Sequence, residues 1–178
     1  MVGLENLPAD GPGLVVSNHV SWLDPVVLGA LITTRPIHFM AKRELFRGKL
    51  LEHFVRTLCA FPVDRSRSDL GAIRKAVALL KAGRLVGMFP EGHRNFSGVL
   101  GPFHDGVAML ASMSRAPVIP VAVVNSRAYC EEWTPLGVPP GPEIRLGPAL
   151  HWSGGGRREF TAQVRQQVSL LLERSTRQ

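Results

Sequence analysis

The chain has 178 residues, 45% of them hydrophobic, which is enough to bury one substantial core and too few for two independent ones. A formal net charge of +7 favours an anionic partner, whether phosphate head groups, a coenzyme's phosphates, an acidic carrier protein or nucleic acid. Cys59 and Cys130 are too few for a disulfide framework and lack metal-ligand spacing, so a reducing cytoplasm is the default setting, and no stretch approaches the ~20 apolar residues that span a bilayer.

In chain order, residues 1–12 read as a lead-in. The apolar run 13–17, with its paired valines, reads as a buried strand that delivers Asn18 and His19 at its C-terminal end. Asp24-Pro25 opens a helix over 26–31, because Asp can cap a helix and Pro tolerates its first position. A strand over 37–41, a helix over 43–58 and a short strand over 61–63 follow, ending at Asp64-Arg65. Leu70, Ile73, Val77 and Leu80 recur at helical spacing, with Ser68 or Asp69 as cap and Gly83 as the stop. Then come a strand over 85–89, a polar loop over 90–102, a helix over 106–114 and a strand over 118–124. Residues 128–142 read as a long loop, before a strand over 144–146 and a last helix over 158–173. Strands separated by helices predict one α/β sandwich domain over 1–178: a mostly parallel, mixed sheet with helices on both faces, its last short strand able to run antiparallel.

Three constellations carry chemistry. His19 ends a strand and Asp24 opens the next helix, so a turn can join them; a neutral imidazole then takes a proton while the carboxylate fixes its tautomer. Glu91-Gly92-His93-Arg94 follows another strand, with Gly92 permitting close backbone approach and Arg94 offering a planar fork to phosphate oxygens. In a parallel sheet Lys42 and Arg65 join Arg94 and His19 on one rim, where they either bind a phosphate monoester or form a solvated basic edge. No Gly-x-Ser-x-Gly elbow occurs, which disfavours a serine hydrolase, and the dispersed His and Cys residues give no metal site.

Four blocks taken together resemble the glycerolphosphate and lysophosphatidic acid acyltransferase family, the bacterial PlsC-like group: Asn18 to Asp24, Lys42 through Leu45 to Arg65, Phe89 to Arg94, and Val118-Ile119-Pro120-Val121. The resemblance implies that His19 deprotonates an acceptor hydroxyl, which attacks the thioester of an acyl-CoA or acyl carrier protein directly, without an acyl-enzyme and without a cofactor. It assigns Asp24 to orient His19, and Lys42, Arg65 and Arg94 to the acceptor's phosphate. Glu91 and Gly92 would shape that site, and Val118, Ile119, Pro120 and Val121 the acyl-binding wall. The expected acceptor is a lysophospholipid, foremost 1-acylglycerol-3-phosphate, used in phospholipid biosynthesis at an anionic membrane surface on the inner face of the cell membrane. His93 and Asn95 stand where the family commonly has threonine and serine, which keeps a specialised acceptor such as an aminoacyl lipid, glycolipid or secondary metabolite open.

Membrane helices that often precede the first block in this family are absent, so the chain is expected either to be a fragment or to dock peripherally. Phe46, Leu50, Leu51, Phe54, Val55 and Leu58 form an apolar face flanked by Arg43, Arg47, Lys49 and Arg56. Its expected place is the core, with an anionic interface as the other reading. A non-catalytic basic domain binding lipid or nucleic acid is the remaining alternative; no nucleic-acid-binding motif supports the latter, so no nucleic-acid partner is expected.

Overall fold

The computed structural model describes residues 1–64, 69–97, 99–131 and 139–173. A six-stranded sheet is formed by β1 (Gly13–Ser17), β2 (Ile37–Lys42), β3 (Phe61–Val63), β4 (Leu85–Met88), β5 (Val118–Val124) and β6 (Glu143–Leu146), in the order β3-β2-β4-β1-β5-β6. All neighbours pair in parallel except β6, which is antiparallel to β5.

The connecting helices are α1 (Asp24–Leu31), α2 (Lys49–Thr57), α3 (Leu70–Lys81) and α4 (Gly106–Ser114), with α5 (Ser126–Glu131) and α6 (Arg157–Glu173) completing the chain. From β1 the chain crosses towards β2, and from β3 and β4 it crosses back the other way. Because such crossovers share one hand, helices of opposite travel land on opposite faces. Thus Val27 and Leu28 of α1 pack with Val15, Phe39 and Ile119 on one side, while α3, α4 and α6 cover Leu14, Val16, Val86 and Val118 on the other.

The direction of travel reverses between β1 and β4, which leaves a crevice at their C-terminal ends. Val16 is in register with Met88, so Asn18-His19 and Phe89–Arg94 emerge side by side although about seventy residues separate them. Asn18 extends the sheet past the end of β1: its side-chain Nδ2 donates to the Val123 carbonyl (3.0 Å) and its Oδ1 accepts the Val123 N–H (2.8 Å). A side-chain amide here takes the place of a peptide group.

Three expectations are corrected by the structure. The helix over 43–58 is split: Arg43–Phe46 form a 3-10 turn, Gly48 is extended (φ −109°, ψ 127°), and α2 begins at Lys49. The expected loop over 128–142 begins with the last turn of α5, because Asn125 in the left-handed region (φ 60°) turns β5 directly into a helix. The apolar face of α2 is not in the core; only Val55 is buried, and Leu50, Leu51 and Phe54 face outward. Asp69 caps α3, its side chain accepting the Ala72 N–H, and Gly83 ends that helix region at φ 74°.

Candidate active site

His19 follows β1 and Asp24 opens α1, and the intervening turn folds the carboxylate back beneath the imidazole. His19 Nδ1 donates to Asp24 Oδ2 at 2.8 Å, and the Val20 and Ser21 N–H groups donate to the same oxygen at 2.7 and 2.9 Å. Oδ1 accepts the Ser126 hydroxyl at 2.5 Å. Asp24 and Ser126 are fully buried. Four protein donors thus fix a carboxylate that has no solvent, and the backbone pair on Oδ2 locks the oxygen that His19 uses. That fixes the ring as the Nδ1–H tautomer and leaves Nε2 as the nitrogen able to take a proton.

The loop after β4 holds the same histidine from the other side. Glu91 is buried, and its carboxylate accepts the His19 N–H (3.0 Å) on Oε1 and the Asn95 side-chain amide (2.9 Å) and Gly101 N–H (3.0 Å) on Oε2. The Asn95 N–H donates to the His19 carbonyl at 2.8 Å, so both backbone groups of His19 are tied to this loop. A Cβ on Gly101 would lie 2.8 Å from Glu91 Oε2, which is why a glycine can bring its N–H there. From α6, Arg165 donates to the Leu100 and Gly101 carbonyls at 2.6 and 2.8 Å and clamps the far end of the loop.

The ring itself is packed by a chain of aromatics. Phe89 stacks on His19 with centroids 4.3 Å apart, and Phe39 lies nearly parallel to Phe89 at 6.1 Å. Phe39 reaches that position because Gly87, in a central strand, has no side chain: a Cβ there would sit 2.5 Å from the Phe39 ring.

His19, Lys42 and Arg94 line one cavity of about 320 Å³, whose remaining wall is largely apolar, from Val26 and Phe39 to Leu51, Phe54 and Leu58. Lys42 sits 3.8 Å from Glu44, and the Arg94 guanidinium lies over the Phe96 ring at 5.5 Å; both side chains belong to exposed residues at the rim. Glu91 and Gly92 line a neighbouring cavity of about 500 Å³ that shares Met40 and Phe89 with the first. Glu91 reaches His19 through the backbone N–H it accepts and does not itself line the His19 cavity. Arg65 lies outside the described residues. Val118, Ile119, Pro120 and Val121 are buried in β5 and do not line the His19 cavity, so the apolar wall there is supplied by α1, β2 and α2 in place of the fourth block.

Ser126 is the residue that motif spacing misses. It lies 102 residues from Asp24 and its own neighbours carry no pattern, yet it directly follows β5, at the same sheet edge as His19. The strand-end rule that singles out His19 applies equally to it.

The fold and the site define a doubly wound α/β domain with a buried His–Asp pair at its switch point, facing an apolar cavity with a cationic rim. A family model described as Acyltransferase matches residues 1–124, and the chain belongs to that family. The 1-acyl-sn-glycerol-3-phosphate acyltransferase of Bacillus subtilis is 41% identical over 118 residues, covering 66% of this chain and 58% of that protein. That of Pseudomonas aeruginosa is 32% identical over 162 residues, covering 88% of this chain and 60% of the relative. The chain thus spans less than two thirds of the length of these relatives. The crystal structure of the 1-acyl-sn-glycerophosphate (LPA) acyltransferase PlsC from Thermotoga maritima superposes with a TM-score of 0.81 at 25% identity, over 99% of this chain and 71% of that one.

Proposed function

We propose that this chain transfers a fatty acyl group from the thioester of an acyl-CoA or acyl carrier protein to the hydroxyl of a lysophospholipid, with 1-acylglycerol-3-phosphate as the acceptor. The observation that carries this reading is the His19–Asp24 pair, 2.8 Å apart, in a cavity whose wall is apolar and whose rim holds Lys42 and Arg94. An acceptor with one hydrophobic chain and one phosphate matches both halves of that lining. The family and the relatives described above support the same chemistry.

In the proposed step His19 Nε2 removes the acceptor's hydroxyl proton as the oxygen bonds to the thioester carbon. Asp24 balances the imidazolium that forms. The tetrahedral adduct collapses by breaking its C–S bond, and the departing thiolate takes the proton back from the imidazolium, leaving ester, thiol and a regenerated base. Lys42 and Arg94 hold the phosphate, which positions the hydroxyl against the ring.

A thiol-release assay with long-chain acyl-CoA and acyl carrier protein donors across a panel of lysolipids, with the product weighed by mass spectrometry, tests both halves. His19→Ala should lower turnover by about 10² to 10⁴-fold, the usual contribution of a positioned base. Full activity in that variant, or turnover only of acceptors without a phosphate, would reject the assignment.

A further inference from the structure

We propose that the groove between the loop of residues 100–105 and α6 is a second anion site, which takes hydrogenphosphate and, when filled, braces the loop that holds His19. The groove has a volume of about 560 Å³ and shares no lining residue with the two cavities described above. One wall is a stripe of α6. Arg158, Thr161, Ala162 and Arg165 recur at helical spacing, so they lie on one face, with the two arginine Cα atoms about 10 Å apart along the axis. The small Ala162 leaves room between them, and two long guanidinium stems can meet over it. Thr161 lies at the edge of the core, 3% exposed, and its Oγ1 is buried with no hydrogen-bond partner among the described residues. A buried hydroxyl in that state costs free energy until a partner reaches it, so native proteins seldom keep one without a reason.

The other polar groups of the groove choose the occupant. Arg158 is exposed and makes no ion pair or hydrogen bond to the described residues, and Arg165 commits only Nε and Nη2, to the Gly101 and Leu100 carbonyls, which leaves Nη1 to a ligand. Two guanidinium groups beside a hydroxyl suit a tetrahedral oxyanion. Asp105 lines the same groove, and its carboxylate makes no capping bond to α4. A carboxylate repels an anion that can only accept, and accepts from one that carries its own proton. Hydrogenphosphate has that P–OH group; sulfate at neutral pH does not. Filling the groove acts on the base through Arg165, because the Gly101 N–H holds Glu91 Oε2 and Glu91 Oε1 holds the His19 N–H. This last step rests on the function proposed above; the binding does not.

The test is equilibrium dialysis against radiolabelled inorganic phosphate at constant ionic strength, with the 178-residue chain carrying Lys42→Ala and Arg94→Ala so that the rim of the His19 cavity does not contribute. One phosphate should bind per chain, and sulfate should compete poorly. Adding Arg158→Ala should weaken binding about tenfold or more, and Asp105→Asn should let sulfate compete as well as phosphate. Thr161→Val removes a hydroxyl without a partner, so it should raise Tm in phosphate-free buffer and lose the further rise that phosphate gives the parent chain. With Lys42 and Arg94 intact, phosphate should raise kcat about twofold at saturating acceptor, an effect absent in Arg158→Ala. Sulfate competing equally with the parent chain, unaltered binding in Arg158→Ala, or a lower Tm for Thr161→Val without phosphate would each overturn the site. Stronger competition by water-soluble dibutanoyl phosphatidate than by inorganic phosphate would replace the free ion with a lipid headgroup and overturn the choice of ligand. Phosphate that binds as expected and leaves kcat unmoved would refute the bracing. If phosphate binds as expected but no thioester is consumed with any acceptor, the proposed function fails and the site stands.

Discussion

Replacing Asp24 by Asn separates what the carboxylate does as a charge from what it does as a bracket. Oδ2 faces three donors, the His19 ring and the Val20 and Ser21 amides, whereas Oδ1 accepts the Ser126 hydroxyl. The Asn oxygen must therefore occupy the Oδ2 position, and its NH₂ meets a hydroxyl that can turn round and accept. The bracket survives and the histidine keeps its tautomer; what disappears is the charge opposite the imidazolium. A bond to a charged acceptor is worth about 1 kcal/mol more than a neutral one, which sets the floor. Opposite charges about 4 Å apart at an effective dielectric near 20 attract by about 4 kcal/mol, which sets the ceiling. Thiol release should show kcat reduced by about fivefold to about a thousandfold, with KM and Tm little changed. Asp24→Ala, by contrast, strands the part-buried Val20 N–H, the buried Ser21 N–H and the buried Ser126 hydroxyl, at up to about 1–3 kcal/mol each, so it should also lower Tm markedly. If Asp24→Asn retained full kcat, or matched Asp24→Ala in both kcat and Tm, the division between charge and bracket would be wrong.

Ser126→Ala removes the hydroxyl that donates to Asp24 Oδ1, and should lower kcat about tenfold with KM unchanged; a change confined to Tm would make the hydroxyl purely structural. Gly87→Ala drives a methyl against the Phe39 ring and Ile37, and should cost about 1–3 kcal/mol in urea unfolding, with some loss of kcat through the displaced Phe39–Phe89–His19 stack. An unaltered unfolding midpoint would refute the packing. The Asp69 carboxyl is held below its ordinary value first by the Ala72 N–H, then by the Asp64 N–H, with Arg43 adding to both. A depressed carboxyl stabilises above its unfolded pKa, near 4, and loses that contribution as pH falls through the lower folded value. Asp69→Asn should therefore flatten the acid-side decline of Tm below about pH 4, and an unchanged slope would exclude the carboxylate from the acid transition.

The strands and the His–Asp pair were legible because each rests on local chemistry: a short β-branched run, a polar turn, a carboxylate at a helix start. What the sequence conceals is decided by partners far along the chain. The periodicity of 43–58 describes one amphipathic face but not where it goes, since α2 is bent away by an extended Gly48 and has only Val55 to insert in the core. The fourth block is apolar either way, and only the folded sheet shows that β5 is buried between the layers and does not itself line the His19 cavity. Arg165 and Ser126 act through bonds spanning 64 and 102 residues, for which no window along the sequence carries a signal.

The bracing divides the site into a fixed part and a replaceable part. His19 is held at its N–H by Glu91, at its carbonyl by Asn95, at Nδ1 by Asp24 and across its ring by Phe89. Each holder is itself held, Glu91 by Gly101 and Asn95, Asp24 by Ser126, so the base has little orientational freedom to lose on reaching the transition state. The cavity wall from Leu45 to Leu58 has no comparable scaffold; it is a 3-10 turn and a short helix anchored by one buried valine. On the proposed function, substitutions there should alter which chain fits without disturbing His19, whereas substitutions in the bracket should alter turnover whatever the chain. Asn95 illustrates the boundary: its side-chain amide donates to Glu91 Oε2 and to the Val99 carbonyl, which places it in the bracket.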